Sequence, residues 1–320
     1  MNRPNDFLVG AVGITLPAFF PSVSSIKTNR TPIDYMKLLV ASGSPQFLVS
    51  AYDVSRSAES SEMRMVIDSA LTRGALILLD SGNYERYWWR DATWTKAQFH
   101  AVLKSHNWPA AFSFDVDCDE LAAPSDCAER ISASGAEDRL CGGHVLYPIV
   151  HGNRQNLPSL CSAVAKRSNP VAVAVAEREL GDGIFARVAT VHRIRTRLNT
   201  LGSYYFLHLL GTGNPLSILL YTIAGADTFD GLEWCQTVAD PDSKLLLHFQ
   251  QRELLTTQLQ LPGPENYDAA TLMHNLLFYA KWMRQLHESL SAGSLSELVR
   301  QTMGDAIAAQ LRAALRNDGD

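Results

Sequence analysis

Seven short apolar runs recur along the chain, each rich in β-forming residues and each closing on a polar group. They are QFLVSAYD (46–53), ALILLDSG (75–82), AAFSFDVD (110–117), HVLYPIVHG (144–152), PVAVAVAE (170–177), YYFLHLLG (204–211) and ADTFDG (226–231). Their starts lie 22 to 35 residues apart, and helical patterns fill several gaps: roughly 58–73 before Gly74, 96–105, 185–200 and 214–224. Strands alternating with helices predict a parallel sheet covered by helices, and continuous apolar runs suit strands buried on both faces. The expected class is α/β, as a (β/α)8 TIM barrel, with a doubly wound sheet as the competitor. The polar ends favour the barrel. Asp53, Asp80 with Ser81, Asp115 with Asp117, His151, Glu177, Thr212 and Asp230 would all meet on one rim of a closed barrel. An eighth strand is expected from FLVGAVGI (7–14) or KLLLHF (244–249).

Beyond the last run come a less regular stretch (232–267), a helix at about 268–290 and a second helix. That second helix opens on a capping-box pattern, Ser294 with Glu297, and carries Leu295, Leu298, Met303, Ile307, Leu311 and Leu315 on one face. The expected organisation is one barrel domain over 1–320, with 232–320 as its helical extension. With 46% apolar and 19% charged residues the chain is an ordinary globular one, and a net charge of −5 excludes a wholesale basic nucleic-acid coat. Five cysteines with no C-x-x-C pair argue for a reducing compartment, and against a disulfide scaffold or a cysteine zinc site. The apolar stretch 7–20 carries two glycines and Pro17 after Asp6, so it reads as a buried strand and turn rather than a signal sequence. No run reaches the roughly 18 apolar residues of a membrane span. A soluble, cytoplasmic protein is expected.

Several residues suit chemistry, each with a plainer alternative. Asp80, where a buried strand meets a turn, would be desolvated and serve as a base, or would cap the next segment. Tyr84 and RYWWRDATW (86–94) suit base stacking and phosphate contact, or form a packed lid. Asp115, Asp117, Asp119 and Glu120 form an acidic cluster in which Asp115 and Asp117 would share one side of an extended strand; it would bind a hard metal, or one carboxylate would read the N–H edge of a base. His151 is a structural residue or a site residue. Asp230 is the second strong carboxylate: two carboxylates around one carbon are the minimum for displacement at an anomeric centre. GTGNP (211–215) would offer amides to a phosphate or make a plain turn. Arg187, His192, Arg193, Arg195 and Arg197 give one helix a basic face, solvated or touching a nucleic-acid backbone.

In order, these segments resemble the tRNA-guanine transglycosylase superfamily, which exchanges guanine for a 7-deazaguanine in nucleic acid. LLDSGNYE (78–85) is similar to its D-S-G-G-F motif, FSFDVD (112–117) to F-D-E, and YPIVHGN (147–153) to I-V-Q-G-G, with His151 in place of glutamine. HLLGTGNPLSILLYTIAGADTFDG (208–231) resembles the segment leading to the nucleophilic aspartate, and MHNLLFYAKWMRQL (273–286) the H-N-L helix. The resemblance spans about 70–290.

It implies that Asp230 attacks the sugar and Asp80 handles the proton. Tyr84 would stack on the base, and Ser81, Asp115, His151 and Glu177 would hold it. The implied partners are DNA or tRNA and a free 7-deazaguanine base. No membrane and no cofactor are involved; partner proteins or a homodimer stay open. The family's C-x-C-x-x-C zinc ligands have no counterpart in 236–273, where His274 stands alone, so no metal is expected. AVAERELG (174–181) replaces the family's G-G-L and LEWCQ (232–236) its P-T-R, which makes the chain most similar to a DpdA-type branch acting on DNA. An inactive binding paralogue and a barrel N-glycoside hydrolase are the alternatives.

Overall fold

The computed structural model describes residues 3–9, 12–57, 60–118, 123–142, 145–255 and 266–316. Eight parallel strands form the sheet: β1 (Ala18–Val23), β2 (Gln46–Ser50), β3 (Leu76–Asp80), β4 (Ala110–Phe112), β5 (Val145–Tyr147), β6 (Ala172–Ala176), β7 (Phe206–Leu210) and β8 (Thr228–Gly231). They neighbour one another in chain order, and β8 returns to β1. A parallel bridge between Ile149 and Ala174 joins β5 to β6 and closes the ring. This is the TIM-barrel architecture the alternating runs predict.

The eighth strand is neither of the two expected segments. It is Ala18–Val23, whose flanking Pro17 and internal Pro21 make it look like a turn in sequence. Pro21 pairs with Gly231 near the strand's end, where its missing N–H costs little. Part of the 7–14 run instead forms an antiparallel pair, Asp6–Val9 with Val12–Thr15. Its Val9 and Ile14 join the cluster filling the barrel floor with Leu76, Ala172 and Phe206, and Phe7 packs on Phe206. Part of the 244–249 run pairs antiparallel with Thr237–Ala239, outside the barrel.

Side chains alternate along a strand, so two separate cores form. Ala18, Phe20, Leu48, Leu76, Leu78, Phe112 and Ala174 fill the barrel, while Phe19, Phe47, Ile77, Leu79 and Val173 face the helices. The same parity aims the last inward positions, Ser22, Ser50, Asp80 and Asp230, at the upper mouth. Register sets neighbours: Ser50 lies opposite Asp80, and Asp230 opposite Phe20.

The helices end and begin on recognisable chemistry. Pro215–Ala224 starts on Asn214, whose side chain accepts from the amides of Leu216 and Ser217, and stops at Gly225 with φ +114. The long helix Tyr267–Ser291 packs under the GTGNP turn, where Tyr279 Oη donates to Gly213 O at 2.6 Å and Trp282 Nε1 to Pro215 O at 3.0 Å. The C-terminal helix expected from Ser294 is two helices, Leu295–Met303 and Asp305–Arg316, divided at Gly304 with φ +85. Its capping box does not form. Glu297 binds Arg300 and Gln301 instead, because an Arg three residues on offers charge-assisted bonds. No helix among the described residues is long and apolar enough to cross a membrane.

Candidate active site

Asp230 stands one residue before the end of β8 and is nearly enclosed, with 7% of its surface exposed. Ser22 Oγ donates to its Oδ2 at 2.7 Å; His208 Nε2, at 3.0 Å, and the Gly211 amide, at 3.2 Å, donate to Oδ1. His208 is fully buried, packed edge-on by Phe112 at 4.9 Å. Its Nδ1 meets Thr228 Oγ1 at 2.9 Å, so the hydroxyl of Thr228 supports the histidine rather than Asp230 itself. The GTGNP turn is tied to this strand end by the Thr212 amide, which donates to the Asp230 backbone carbonyl, as the Gly211 amide does to its carboxylate.

Asp80 ends β3 across the same mouth. Burial, then the charges of Glu85, Asp115 and Asp230, holds its carboxyl well above the ordinary carboxylate range. One oxygen accepts the Gly82 amide at 2.9 Å, which realises the capping alternative for half of the group. Only glycine fits at position 82: φ is +83, and an added Cβ would lie 2.7 Å from the Tyr52 amide nitrogen.

Glu85 comes off the helix Asn83–Trp89 and turns inward, accepting from Ser24 Oγ and, at 2.6 Å, from Ser50 Oγ. Burial and then the Asp53 charge push it up to about 7. Asp53, which takes the Ser25 amide at 2.8 Å, is pushed up by burial to about 6. Glu233 faces the glycines of the other wall, where an added Cβ on Gly213 or Gly231 would strike its Oε2; burial pushes it up to about 7. The mouth thus carries several carboxyl groups that desolvation pushes toward the neutral form, Asp80 furthest.

A third group spans β4 to β6. Asp115 Oδ1 meets His151 Nε2 at 2.6 Å, and His151 Nδ1 meets Glu179 Oε1 at 2.7 Å. Burial alone would lower the imidazole, but these two carboxylates outweigh it and raise it to about 10, so His151 is an imidazolium. Asp115 also accepts from Ser81 Oγ at 2.6 Å and Asn83 Nδ2 at 2.5 Å. Burial would raise its carboxyl; His151 above all, then Asn83 and Ser81, lower it overall. Ser81, fully enclosed, spends its hydroxyl on Asp115. Glu177 is held by Tyr221 Oη at 2.8 Å and Arg187 at 3.1 Å, while its neighbour Glu179 reaches the cluster. Tyr84 stands at the opening, 38% exposed, edge-on to Trp88.

Some expectations do not hold. Asp115 and Asp117 do not share a side: the strand ends at Phe112, and Asp117 points to solvent. Asp119 and Glu120 lie outside the described residues. Nor is Ile184–Asn199 a free basic face. Arg195 is buried, donating to Gly225 O, Tyr205 O and Asp227, while Arg187 and Arg193 bond Gly181 O and Arg154 O. His274 sits beneath the small sheet with Nε2 on Ala239 O at 2.8 Å, and Asn275 bridges Trp234 O, Thr237 O and the Ala239 amide. Hydrogen bonds pin this segment to the long helix, positions 236–273 hold no cysteine, and a C-x-C-x-x-C zinc centre does not fit. No cluster of three or more metal-ligating side chains occurs among the described residues.

Sequence reasoning missed Ser22, His208, Glu85, Glu179, Asn83 and Glu233. A signal existed for His208, which shares the strand face of Phe206 and Leu210 and therefore points inward. Asn83 and Glu85 lay inside LLDSGNYE, three and five residues past Asp80, without a reason to single them out.

The neutral acids give stability a pH dependence with a definite sign. Glu85 titrates at 4.5 ordinarily and at about 7 in the fold, so the folded chain holds its proton more tightly. That stabilisation is complete below pH 4.5 and is lost as pH rises through 7. The shift corresponds to roughly 3 kcal/mol at most. Thermal unfolding should therefore show Tm falling between about pH 4.5 and 7 and levelling above, and Glu85→Gln should flatten that fall and raise Tm at pH 8. An unchanged slope in the variant would remove the buried-acid assignment. No family model matches the chain, and no curated protein matches it in sequence.

Proposed function

We propose that the protein is a nucleic-acid guanine transglycosylase that exchanges guanine for a 7-deazaguanine in DNA through a covalent aspartyl–sugar intermediate. What carries the reading is the contrast between two carboxyl groups at one mouth. Asp230 is ringed by three donors and Asp80 is kept a neutral acid by desolvation. A nucleophile and a proton donor need that contrast. Asp230 attacks C1′ as the C1′–N9 bond breaks, and the Asp80 proton goes to N9 of the departing guanine. The entering base then returns its N9 proton to Asp80, its N9 bonds C1′, and the ester to Asp230 breaks. Tyr84 covers the base. Asp115 and Glu179, tied together through His151, still have acceptor sites free for the base's N–H edge.

The test is exchange itself. Guanine-containing DNA incubated with the protein and a 7-deazaguanine should release guanine and gain the deazapurine, read by mass spectrometry of digested nucleosides. Guanine release that needs no added base would point to a hydrolase. No release from DNA or tRNA would leave only a binding role.

A further inference from the structure

The mouth is lined with carboxyl groups that suit a base and offer a phosphate backbone no cation, so a polynucleotide needs its footing elsewhere. The exposed surface beside Tyr84 supplies one. Tyr87, Trp88 and Trp89 are 73%, 44% and 56% exposed on one short helix, an amount of open aromatic surface that a fold normally covers. Lys27 stands over Trp88 with Nζ 3.6 Å from the ring centroid. Its backbone is held at φ +53, a left-handed conformation that costs a non-glycine residue energy and gathers at functional sites. The loop is fixed on both sides: Trp89 Nε1 donates to Ser25 Oγ at 3.1 Å, and Gln236 Nε2 to Lys27 O at 3.2 Å. Beyond Lys27 a cavity of about 320 Å³ opens, lined by Lys27, Asn29, Gln236, His248, Phe249 and Gln250. Aromatic faces, one cation and a run of amide groups thus form a continuous path leading away from the mouth.

We infer that this path, Tyr87–Trp88–Lys27 and the cavity beyond, holds the single-stranded DNA that flanks the reacting nucleotide. The inference rests on the proposed transglycosylase reading and adds where the strand runs and in what state. Stacking on Trp88 requires unpaired bases, because bases within a duplex present no free faces. A single strand can put bases on the rings and one phosphate on Lys27.

The experiment measures binding apart from chemistry. The full chain carrying Asp230→Asn is titrated by fluorescence anisotropy with a labelled guanine-containing DNA strand of about a dozen nucleotides, its duplex and the same RNA sequence. The single DNA strand should bind at least about tenfold tighter than the duplex. Trp88→Ala should weaken it by roughly tenfold. Lys27→Gln should reduce the slope of log affinity against log salt by about 0.7, the share of one phosphate on a single strand. Both positions are at the surface, so Tm should not move. Equal or tighter duplex binding, or full binding in both variants, would overturn the path; preference for RNA would overturn its assignment to DNA. Failure of the two readings is separable. Strand binding that both variants weaken, without any base exchange by the wild type, keeps the path and removes the transglycosylase. Exchange that neither variant slows does the reverse.

Discussion

Asp230→Asn is expected to abolish the covalent sugar adduct and to lower base exchange by a factor on the order of 10⁴ or more, as loss of a nucleophile does. The substitution is close to isosteric. The amide oxygen can still accept from His208 and Gly211, and the amide NH₂ can donate to Ser22 Oγ, which accepts as readily as it donates. The fold should therefore stand and Tm should stay within a few degrees of wild type, so lost activity cannot be put down to unfolding. Denaturing gels with a labelled oligonucleotide read the result directly. A shifted band in the wild type that survives in the variant would move the nucleophile elsewhere. Guanine release by the wild type with no shifted band would make water the acceptor, as in a hydrolase.

The barrel was legible because its rule is local. A strand buried on both faces is apolar except where a partner answers a polar group, as Thr228 and Asp230 answer His208, so polar residues gather at its end, and seven such ends appear in the sequence. Parity then places Asp80 and Asp230 inside one mouth without knowledge of any contact. What was not legible depends on partners far away in the chain. Glu85 can be buried only because Ser24 and Ser50, from the ends of two other strands, donate to it. Arg195 reads as a solvated helix charge until Asp227, 32 residues on, is seen beneath it. His151 was visible as a strand end, but its charge state follows from having a carboxylate at each ring nitrogen, and Glu179 was the unforeseen one. Ser22 was hidden by the prolines that disguised its strand.

Asp80→Asn should differ from Asp230→Asn in kind. The amide can still accept the Gly82 N–H, so the turn into Asn83–Trp89 should keep its shape. It has no proton to give to N9 and no means to take one back. General acid–base groups contribute about 10²–10⁴, so adduct should form slower by that factor, with guanine leaving as the less stable anion. Once formed, the adduct should persist, because the entering base keeps its N9 proton and remains a poor nucleophile. Single-turnover gels should therefore show a late band that added 7-deazaguanine fails to clear, whereas the wild-type band clears on addition. The pH profile gives an independent check. Asp80 is raised well above the ordinary carboxylate range, and the attack step uses its protonated form, so wild-type adduct formation should fall as pH rises through that raised pKa. In Asp80→Asn the fall should vanish and leave a flat, low rate. A variant that clears its adduct at the wild-type rate, or keeps the wild-type pH profile, would assign the proton to another group of the mouth, with Glu85 and Glu233 next in line.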